Sequence, residues 1–143
     1  IILSHSGCKA IYDHPRNIDD DRLRRLAAAG GVISMNSLPA YLVALNASPD
    51  RMAALAEIIK RFGSLASLTP ESAQELANAT AEIDRRFPVR EVTFEDFMAH
   101  LLHALKVVGV DHVGIGADWD GGGGVRGMDD VTALDVLVAA FCG

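Results

Sequence analysis

Residues 1–37, IILSHSGCKAIYDHPRNIDDDRLRRLAAAGGVISMNS, decide the fold of this chain. An apolar run rich in β-branched residues at 1–4 is followed by a helical pattern over 19–29 and a second apolar run at 31–37. Gly30 is a suitable residue to end the helix. A strand, a helix and a strand in this order form a βαβ unit, so the pattern predicts two parallel, buried strands.

Similar patterns continue through the rest of the chain. Periodic apolar residues predict helices over 49–68, 70–86 and 94–108, and the apolar run at 112–117 predicts a third strand. A last helix is predicted from about Asp129 to the end. The order β-α-β-α-α-α-β-α fits part of a doubly wound sheet or part of a (β/α)8 barrel. In both folds, ligands bind at the carboxyl ends of the parallel strands.

Composition excludes several classes of protein. The chain has 143 residues, of which 50% are hydrophobic, and a net charge of −6. It can form one core, it contains no apolar run long enough to span a membrane, and its mixed charges make no stripe for nucleic acid. Cys8 and Cys142 are far apart in sequence, and two buried free thiols are expected. Because the chain begins inside a strand-like run without an initiator Met, we expect a fragment of a longer protein.

The stretch VGIGADWDGGGG, residues 113–124, allows two interpretations: a phosphate-binding glycine loop, or a strand that delivers a carboxylate. Gly114 and Gly116 fit a GxGxxG dinucleotide pattern, but Trp119 occupies the third glycine position. We therefore interpret the first two glycines as close-packing positions and expect the four glycines at the end to loosen the loop. In this interpretation the strand delivers Asp118.

Polar residues follow each predicted strand: His5 the first, Asn36 the second and Asp118 the third. Parallel strands bring them to one rim. A neutral imidazole at His5 suits a metal, and a carboxylate at Asp118 suits catalysis. The alternatives are a histidine bonded to backbone and a carboxylate in an Asx turn. Arg16, in DHPRN, suits either a bidentate clamp on a substrate carboxylate or a surface salt bridge with a nearby aspartate.

His100 and His103 are spaced three residues apart on the helix predicted over 94–108. This spacing suits a metal site, but a helical wheel places both histidines off the apolar face. No glutamate of an HExxH motif accompanies them. A solvated helix face is therefore expected for both.

Three segments together resemble the C-terminal part of the membrane dipeptidase (renal dipeptidase) family, peptidase family M19. They are IILSHS at 1–6, DHPRNIDDDRLRRLAAAGGVISMNS at 13–37 and GVDHVGIGADWDG at 109–121. The resemblance implies an α/β fold, the C-terminal portion of a (β/α)8 TIM barrel of the metal-dependent hydrolase type. Residues 1–143 would supply about strands six to eight with their helices, and about 45–92 would be a helical insertion.

The resemblance also implies roles for particular residues. His5 matches the second of two histidines that bind one zinc, and Asp118 matches a catalytic aspartate close to the other zinc. Arg16 matches the arginine that holds the terminal carboxylate of a dipeptide, Tyr41 a tyrosine that lines the pocket, and Gly121 a backbone position that touches substrate. Two zinc ions would lower the pKa of a bridging water, and Asp118 would orient the resulting hydroxide and pass its proton to the leaving amine.

Several features of the family pattern are missing from these residues: the HxD motif, the bridging glutamate and the first histidine of the pair. We therefore expect the chain alone to be inactive, to bind zinc weakly and to associate. The alternatives to a dipeptidase are another amidohydrolase-type metal hydrolase of small amides or esters, and a barrel remnant that does not catalyse. The resemblance further favours a bacterial source, a periplasmic over a cytoplasmic location, and a homodimer of the full-length protein.

Overall fold

The structure is a computed structural model that describes residues 1–64 and 67–142. The described residues form three parallel strands, each followed along the chain by at least one helix. The elements are β1 (Ile2–Ser6), α1 (Asp20–Ala28), β2 (Val32–Met35), α2 (Pro39–Leu42), α3 (Pro49–Phe62), α4 (Pro70–Arg86), α5 (Phe94–Val108), β3 (Val113–Ile115) and α6 (Leu134–Cys142).

The chain divides into two compact units. The first comprises Ile1–Ala44 with Glu91–Gly143, and the second comprises Leu45–Arg90. In the second unit α3 and α4 pack against each other, and Arg51 bonds the carbonyl of Phe87 at 2.8 Å. All three strands belong to the first unit. Among the described residues, no helix combines the length and the apolar character needed to cross a membrane.

The sheet of the first unit confirms the predicted βαβ unit. β1 pairs with β2 and β2 with β3, both in parallel, so the strand order is β1-β2-β3. Ile33 is paired with Leu3 on one side and with Val113 on the other. The core beneath the sheet is completed by buried residues of α1 and α5: Leu23, Phe97, Leu101 and Ala104.

Gly116 marks a sharp inward curve of this sheet. A Cβ at this position would overlap the carbonyl oxygen of Ser4 in β1 and lie 2.7 Å from the Cβ of Ser34 in β2. Since β2 separates β1 from β3, such an approach requires the outer strands to bend towards each other over it. At Gly114 a Cβ would lie 3.1 Å from Oγ of Ser34. The interpretation of both glycines as close-packing positions is confirmed.

Two predicted helices have different bounds. α3 ends at Phe62 rather than at residue 68, because Gly63 leaves the helix with a positive φ of 65° and its N–H bonds the carbonyl of Ile59. Of the predicted extension, residues 65 and 66 lie outside the described residues. α6 begins at Leu134, not near Asp129, because residues 131–133 form a short 3-10 turn.

α2 is a short helix that the sequence patterns did not predict. It begins with Pro39 and covers four residues, too few to show a helical period. The N–H of Leu38 bonds the side-chain Oδ1 of Asn36 and so turns the chain out of the strand into this helix.

Candidate active site

The carboxyl ends of the three strands are joined by hydrogen bonds, as the parallel topology predicts. The N–H of Asn36 bonds the carbonyl of Ser6 at 3.1 Å, and the N–H of Gly116 bonds the carbonyl of Met35 at 2.9 Å. Ser37 bonds the carbonyl of Ala117 through its N–H at 3.0 Å and through its Oγ at 2.6 Å. These bonds join the ends of all three strands into one rim.

Asn36 does not present its side chain to a ligand. The residue is 1% exposed, and its Oδ1 is occupied by the Leu38 N–H. Within the part of the chain that the structure describes, its Nδ2 is buried and has no hydrogen-bond partner. The amide therefore serves the turn into α2.

Asp118 lies three residues past the end of β3 in a left-handed conformation, with φ of 66° and ψ of 37°. Aspartate is one of the few residues besides glycine that adopt this conformation at low cost. The side chain is half-buried and lines a cavity of about 590 Å³. The other residues around this cavity include Gly116, Trp119, Asp120, Asp130 and Leu134.

The glycines after Asp118 close the loop tightly, so the expectation that they loosen it is wrong. The carbonyl of Asp118 accepts the N–H of Gly121 at 3.0 Å and that of Gly123 at 2.7 Å. A Cβ at Gly123 would overlap the carbonyl oxygen of Ala117. Gly122 has a φ of 95°, which also favours glycine. These positions need glycine for space and backbone conformation.

His5 and Arg16 share a different cavity, of about 360 Å³, along β1. Nδ1 of His5 lies 2.8 Å from Oγ of Ser4. The structure thus brings His5 and Arg16 together, whereas Asp118 lines the separate cavity at β3.

Arg16 makes no ion pair with a carboxylate of residues 1–64 and 67–142. The nearby aspartates have other partners: Asp13 pairs with Lys9 at 3.1 Å and Asp19 with Arg22 at 3.3 Å. The interpretation of Arg16 as part of a surface salt bridge is therefore wrong, and its exposed guanidinium can bind an anion.

Tyr41 lies beside Arg16, although 25 positions separate them in sequence. The guanidinium carbon is 5.5 Å from the centroid of the Tyr41 ring. The ring of His14 is tilted against Tyr41 with centroids 4.7 Å apart, and Nδ1 of His14 accepts the N–H of Arg16 at 3.2 Å. Two of the three residues that the resemblance assigns to substrate, Arg16 and Tyr41, therefore form one cluster, to which His14 adds an aromatic wall.

The expectation of a solvated face for His100 and His103 is wrong. His100 is fully buried: its Nδ1 accepts the N–H of Cys8 at 2.9 Å, and its Nε2 lies 2.9 Å from the carbonyl of Leu42. His103 is partly buried, with Nε2 2.8 Å from Oδ1 of Asp20. A helical wheel carries no information about these partners, which are distant in sequence.

Burial also sets the protonation of two groups next to the rim. It lowers the pKa of His100 below the usual 6.5, which keeps the imidazole neutral. It raises the pKa of the Cys8 thiol to about 12, and the Sγ of Cys8 lies 3.5 Å from the carbonyl of His100. Cys142 is a free thiol as expected but is exposed, not buried, because it lies at the end of α6.

The membrane dipeptidase family, peptidase family M19, matches residues 1–142. The chain belongs to this family. Over 139 residues it is 30% identical to an uncharacterized dipeptidase of Schizosaccharomyces pombe, covering 96% of this chain and 23% of that protein. Over 142 residues it is 28% identical to the dipeptidase tcpJ of Claviceps purpurea, covering 99% and 23% respectively. The chain thus spans less than a quarter of these two relatives' length.

Two solved structures support the fold of this membrane dipeptidase family member. The probable dipeptidase PvdM from Pseudomonas aeruginosa superposes with a TM-score of 0.66 at 29% identity, over 99% of this chain and 38% of PvdM. A metallo peptidase from Rhodobacter sphaeroides, liganded with a phosphinate mimic of the dipeptide L-Ala-D-Ala, gives 0.61 at 25% identity, over 98% and 28%. The prediction of a TIM-barrel portion is confirmed.

Membership in a metallopeptidase family implies a metal cofactor, but the described residues do not complete a site for one. Of the residues that the structure describes, no three His, Cys, Asp or Glu side chains are grouped so that they could hold a metal ion. His5 and Asp118 line separate cavities, whereas a catalytic zinc site needs about three protein ligands.

Proposed function

We propose that residues 1–143 form part of the active site of a zinc-dependent dipeptidase, in which Arg16 and Tyr41 bind the carboxylate end of the dipeptide. The observation that carries this proposal is the guanidinium of Arg16, which has no carboxylate partner among the described residues and lies over the Tyr41 ring. It opens on the cavity that His5 also lines.

A dipeptide is the shortest peptide, and its free carboxylate is one residue away from the scissile bond. An arginine that binds this carboxylate with two parallel hydrogen bonds fixes the distance to the bond and rejects longer peptides. The aromatic rings of Tyr41 and His14 would limit the size of the substrate side chain next to the bound carboxylate. The Rhodobacter relative carries a mimic of L-Ala-D-Ala, so we include a D-residue at the C-terminal position in the proposed substrate class.

His5 and Asp118 would serve the reacting end of the substrate. Oγ of Ser4 lies 2.8 Å from Nδ1 of His5, so the other ring nitrogen, Nε2, would be available to bind a metal ion. Asp118 would hold the proton that moves to the leaving amine. The N–H of Gly121 is used by the carbonyl of Asp118, so Gly121 would touch substrate through its α-carbon or carbonyl.

The remaining zinc ligands would come from outside residues 1–143. The ligands proposed within these residues are His5 and Asp118, and they line two separate cavities. We therefore propose that the 143-residue chain alone has no dipeptidase activity. Dipeptide hydrolysis by this purified chain would contradict that part of the proposal.

The test is a kinetic comparison of dipeptides and their C-terminal amides in the enzyme that contains this sequence. Arg16→Ala should raise KM for the dipeptide about 100-fold, because a pair of charge-assisted hydrogen bonds is lost. The C-terminal amide has no carboxylate, so it should be a poor substrate of both enzymes, and the substitution should leave its hydrolysis unchanged. Arg22→Ala, at an exposed arginine of α1, is the matched control. Chelation should abolish activity, and zinc should restore it.

An unchanged KM in Arg16→Ala would show that the carboxylate is bound elsewhere. Hydrolysis of cyclic amides or esters in place of dipeptides would support the amidohydrolase alternative, and no hydrolysis at all would support a non-catalytic remnant.

A further inference from the structure

The loop that carries Arg16 is held to the segment that carries Tyr41 by buried polar side chains. We call residues 7–18 the rim loop and residues 36–42 the Tyr41 segment. Neither the binding of a carboxylate nor the proton transfer proposed above uses these buried side chains.

His100 reaches both segments from α5. Its Nδ1 accepts the N–H of Cys8, at the start of the rim loop, at 2.9 Å. Its Nε2 lies 2.9 Å from the carbonyl of Leu42, the residue after Tyr41. A backbone N–H donates and a carbonyl accepts, so both bonds are satisfied only by the neutral ring with its proton on Nε2.

Asn17, the neighbour of Arg16, makes a second link. Asn17 is 6% exposed, and its side-chain Nδ2 donates to the carbonyls of Tyr12 at 2.9 Å and of Tyr41 at 2.8 Å. The first bond closes the rim loop on itself, and the second joins the loop to the Tyr41 segment.

Gly7 leaves space for both side chains. A Cβ there would lie 2.5 Å from Oδ1 of Asn17 and 3.1 Å from Nδ1 of His100. The two polar groups therefore pack against the same backbone position. His100 holds the start of the rim loop through Cys8, and Asn17, near its end, bonds Tyr12 in its middle.

We propose that His100 and Asn17 are positioning residues of the dipeptide site, which fix the guanidinium of Arg16 relative to the ring of Tyr41. The proposal rests on the proposed function, because Arg16 and Tyr41 must bind substrate for their separation to matter. His100 and Asn17 themselves touch no substrate: they act through the backbone of the rim loop and the Tyr41 segment.

The neutral state of His100 is part of this arrangement. A second proton on the ring would point at the Cys8 N–H and break that bond. The titratable groups around the ring are the Cys8 thiol, Tyr41 next to Leu42, and Asp96 and His103 on its own helix, with Asp20 of α1 beyond His103. Burial lowers the pKa of His100 and outweighs the opposing effects of the bond to the Leu42 carbonyl and of Asp96, so the ring stays neutral.

Two amide substitutions separate the two bonds of His100. His100→Asn keeps an acceptor near Nδ1 and loses the donor, whereas His100→Gln keeps a donor near Nε2 and loses the acceptor. In the enzyme that contains this sequence, each should raise KM for dipeptides about tenfold, the value of one buried hydrogen bond, with kcat changed less than about threefold. Asn17→Leu, of similar volume without donors, should do the same.

The matched control is His103→Gln, on the same helix but bonded to Asp20 of α1 instead of the rim loop. A double variant gives the sharper test. If His100 acts through Arg16, His100→Gln should have little further effect on KM in an Arg16→Ala background, so the effects will not add. Additive effects, or KM changes no larger than those of His103→Gln, would overturn the proposal.

Nitrogen NMR of the imidazole in the unsubstituted enzyme needs no variant. We expect His100 to show a proton on Nε2 and none on Nδ1. As the pH is lowered, His100 should keep this neutral form after exposed histidines have become protonated. A proton on Nδ1 would overturn the proposal. If the unsubstituted enzyme hydrolyses no dipeptide, the proposed function fails and this inference fails with it. Normal hydrolysis with an unchanged KM in the variants removes the inference alone.

Discussion

Gly121 lies directly against the carboxylate of Asp118. A Cβ at position 121 would overlap Oδ1 and lie 2.8 Å from Oδ2. The N–H of the same glycine bonds the carbonyl of Asp118 at 3.0 Å. Gly121 therefore fixes the backbone of Asp118 and leaves space for its side chain, which gives this glycine a physical role next to the proposed catalytic group.

Gly121→Ala should displace the carboxylate of Asp118 without unfolding the loop. We expect kcat for dipeptide hydrolysis to fall about 100-fold, because a small misplacement of a reacting group is costly, while KM changes little. The measurement is steady-state kinetics in the enzyme that contains this sequence.

Gly122→Ala is the control for this change. Gly122 has a φ of 95°, so alanine there strains the backbone, but a Cβ would meet only Cδ1 of Leu38 at 3.6 Å. We expect a cost of about 1–2 kcal/mol in the free energy of unfolding and a smaller effect on kcat. Equal losses of kcat in the two variants would show that general loop strain, not the contact with Asp118, matters.

Asp118→Asn tests the carboxylate itself. Asparagine adopts the left-handed conformation as readily as aspartate, so the backbone at φ of 66° is preserved. We expect the free energy of unfolding to change by less than about 1 kcal/mol and kcat to fall about 10²–10⁴-fold through loss of the proton acceptor. Activity within a factor of about three of the unsubstituted enzyme would remove Asp118 from the mechanism.

Local patterns predicted the elements that local physics determines. The strands and α1 were found because apolar runs, helical periodicity and a terminal glycine are short-range signals. In the structure Asp19 caps α1, since its side chain accepts the N–H of Arg22 at 2.8 Å. The helix from Phe94 to Val108 was predicted with its bounds, and at its start the N–H of Thr93 bonds the carboxylate of Asp96.

The same signals could not place the side chains of α5 or the glycine loop. A helical wheel shows which side of a helix is apolar but not that the rim loop covers His100 or that α1 covers His103. A run of glycines is compatible with a loose loop or a crowded one. The approach of Gly123 to Ala117 and the bonds from the loop glycines to the Asp118 carbonyl distinguish them. The expectation for His100 and His103 was wrong because it depends on contacts with other elements. The expectation for the glycines was wrong because it depends on how closely the loop folds back on itself.

Gly116 and Gly114 give a matched pair for the curvature of the sheet. Gly116→Ala should lower the free energy of unfolding by about 2–3 kcal/mol, because its Cβ would overlap the backbone carbonyl of Ser4, which cannot move without bending β1. Gly114→Ala meets the Oγ of Ser34 at 3.1 Å, a side-chain atom that can rotate away, and should cost less than about 1 kcal/mol.

Urea unfolding of the 143-residue chain, followed by fluorescence, measures both effects, because Trp119 is the single tryptophan of this chain and lies in the first unit. The midpoint should shift strongly for Gly116→Ala and slightly for Gly114→Ala. Equal shifts would mean that the close approach of β1 and β3 does not exist in solution.

The stability of the first unit should fall as the pH is lowered, in part because of His100. Burial holds the pKa of His100 in the folded state below 6.5, the value of an unfolded histidine. Between these two pKa values the unfolded state binds more protons, so the free energy of unfolding rises with pH in that window. The contribution is complete above about pH 6.5–7 and is lost as the pH falls through the folded pKa, with a slope limited to about 1.4 kcal/mol per pH unit.

His100→Asn isolates this contribution, since asparagine does not titrate and the carboxylates and other histidines remain. Trp119 fluorescence in urea at pH 7.5, 6.5 and 5.5 should show His100→Asn less stable than the unsubstituted protein at pH 7.5, and the difference should shrink towards pH 5.5. The shrinking difference is the signature of a neutral, buried imidazole. Parallel pH profiles for the two proteins would instead mean that His100 takes up its proton in the folded state as readily as in the unfolded one, and that the bond from the Cys8 N–H to Nδ1 is not maintained.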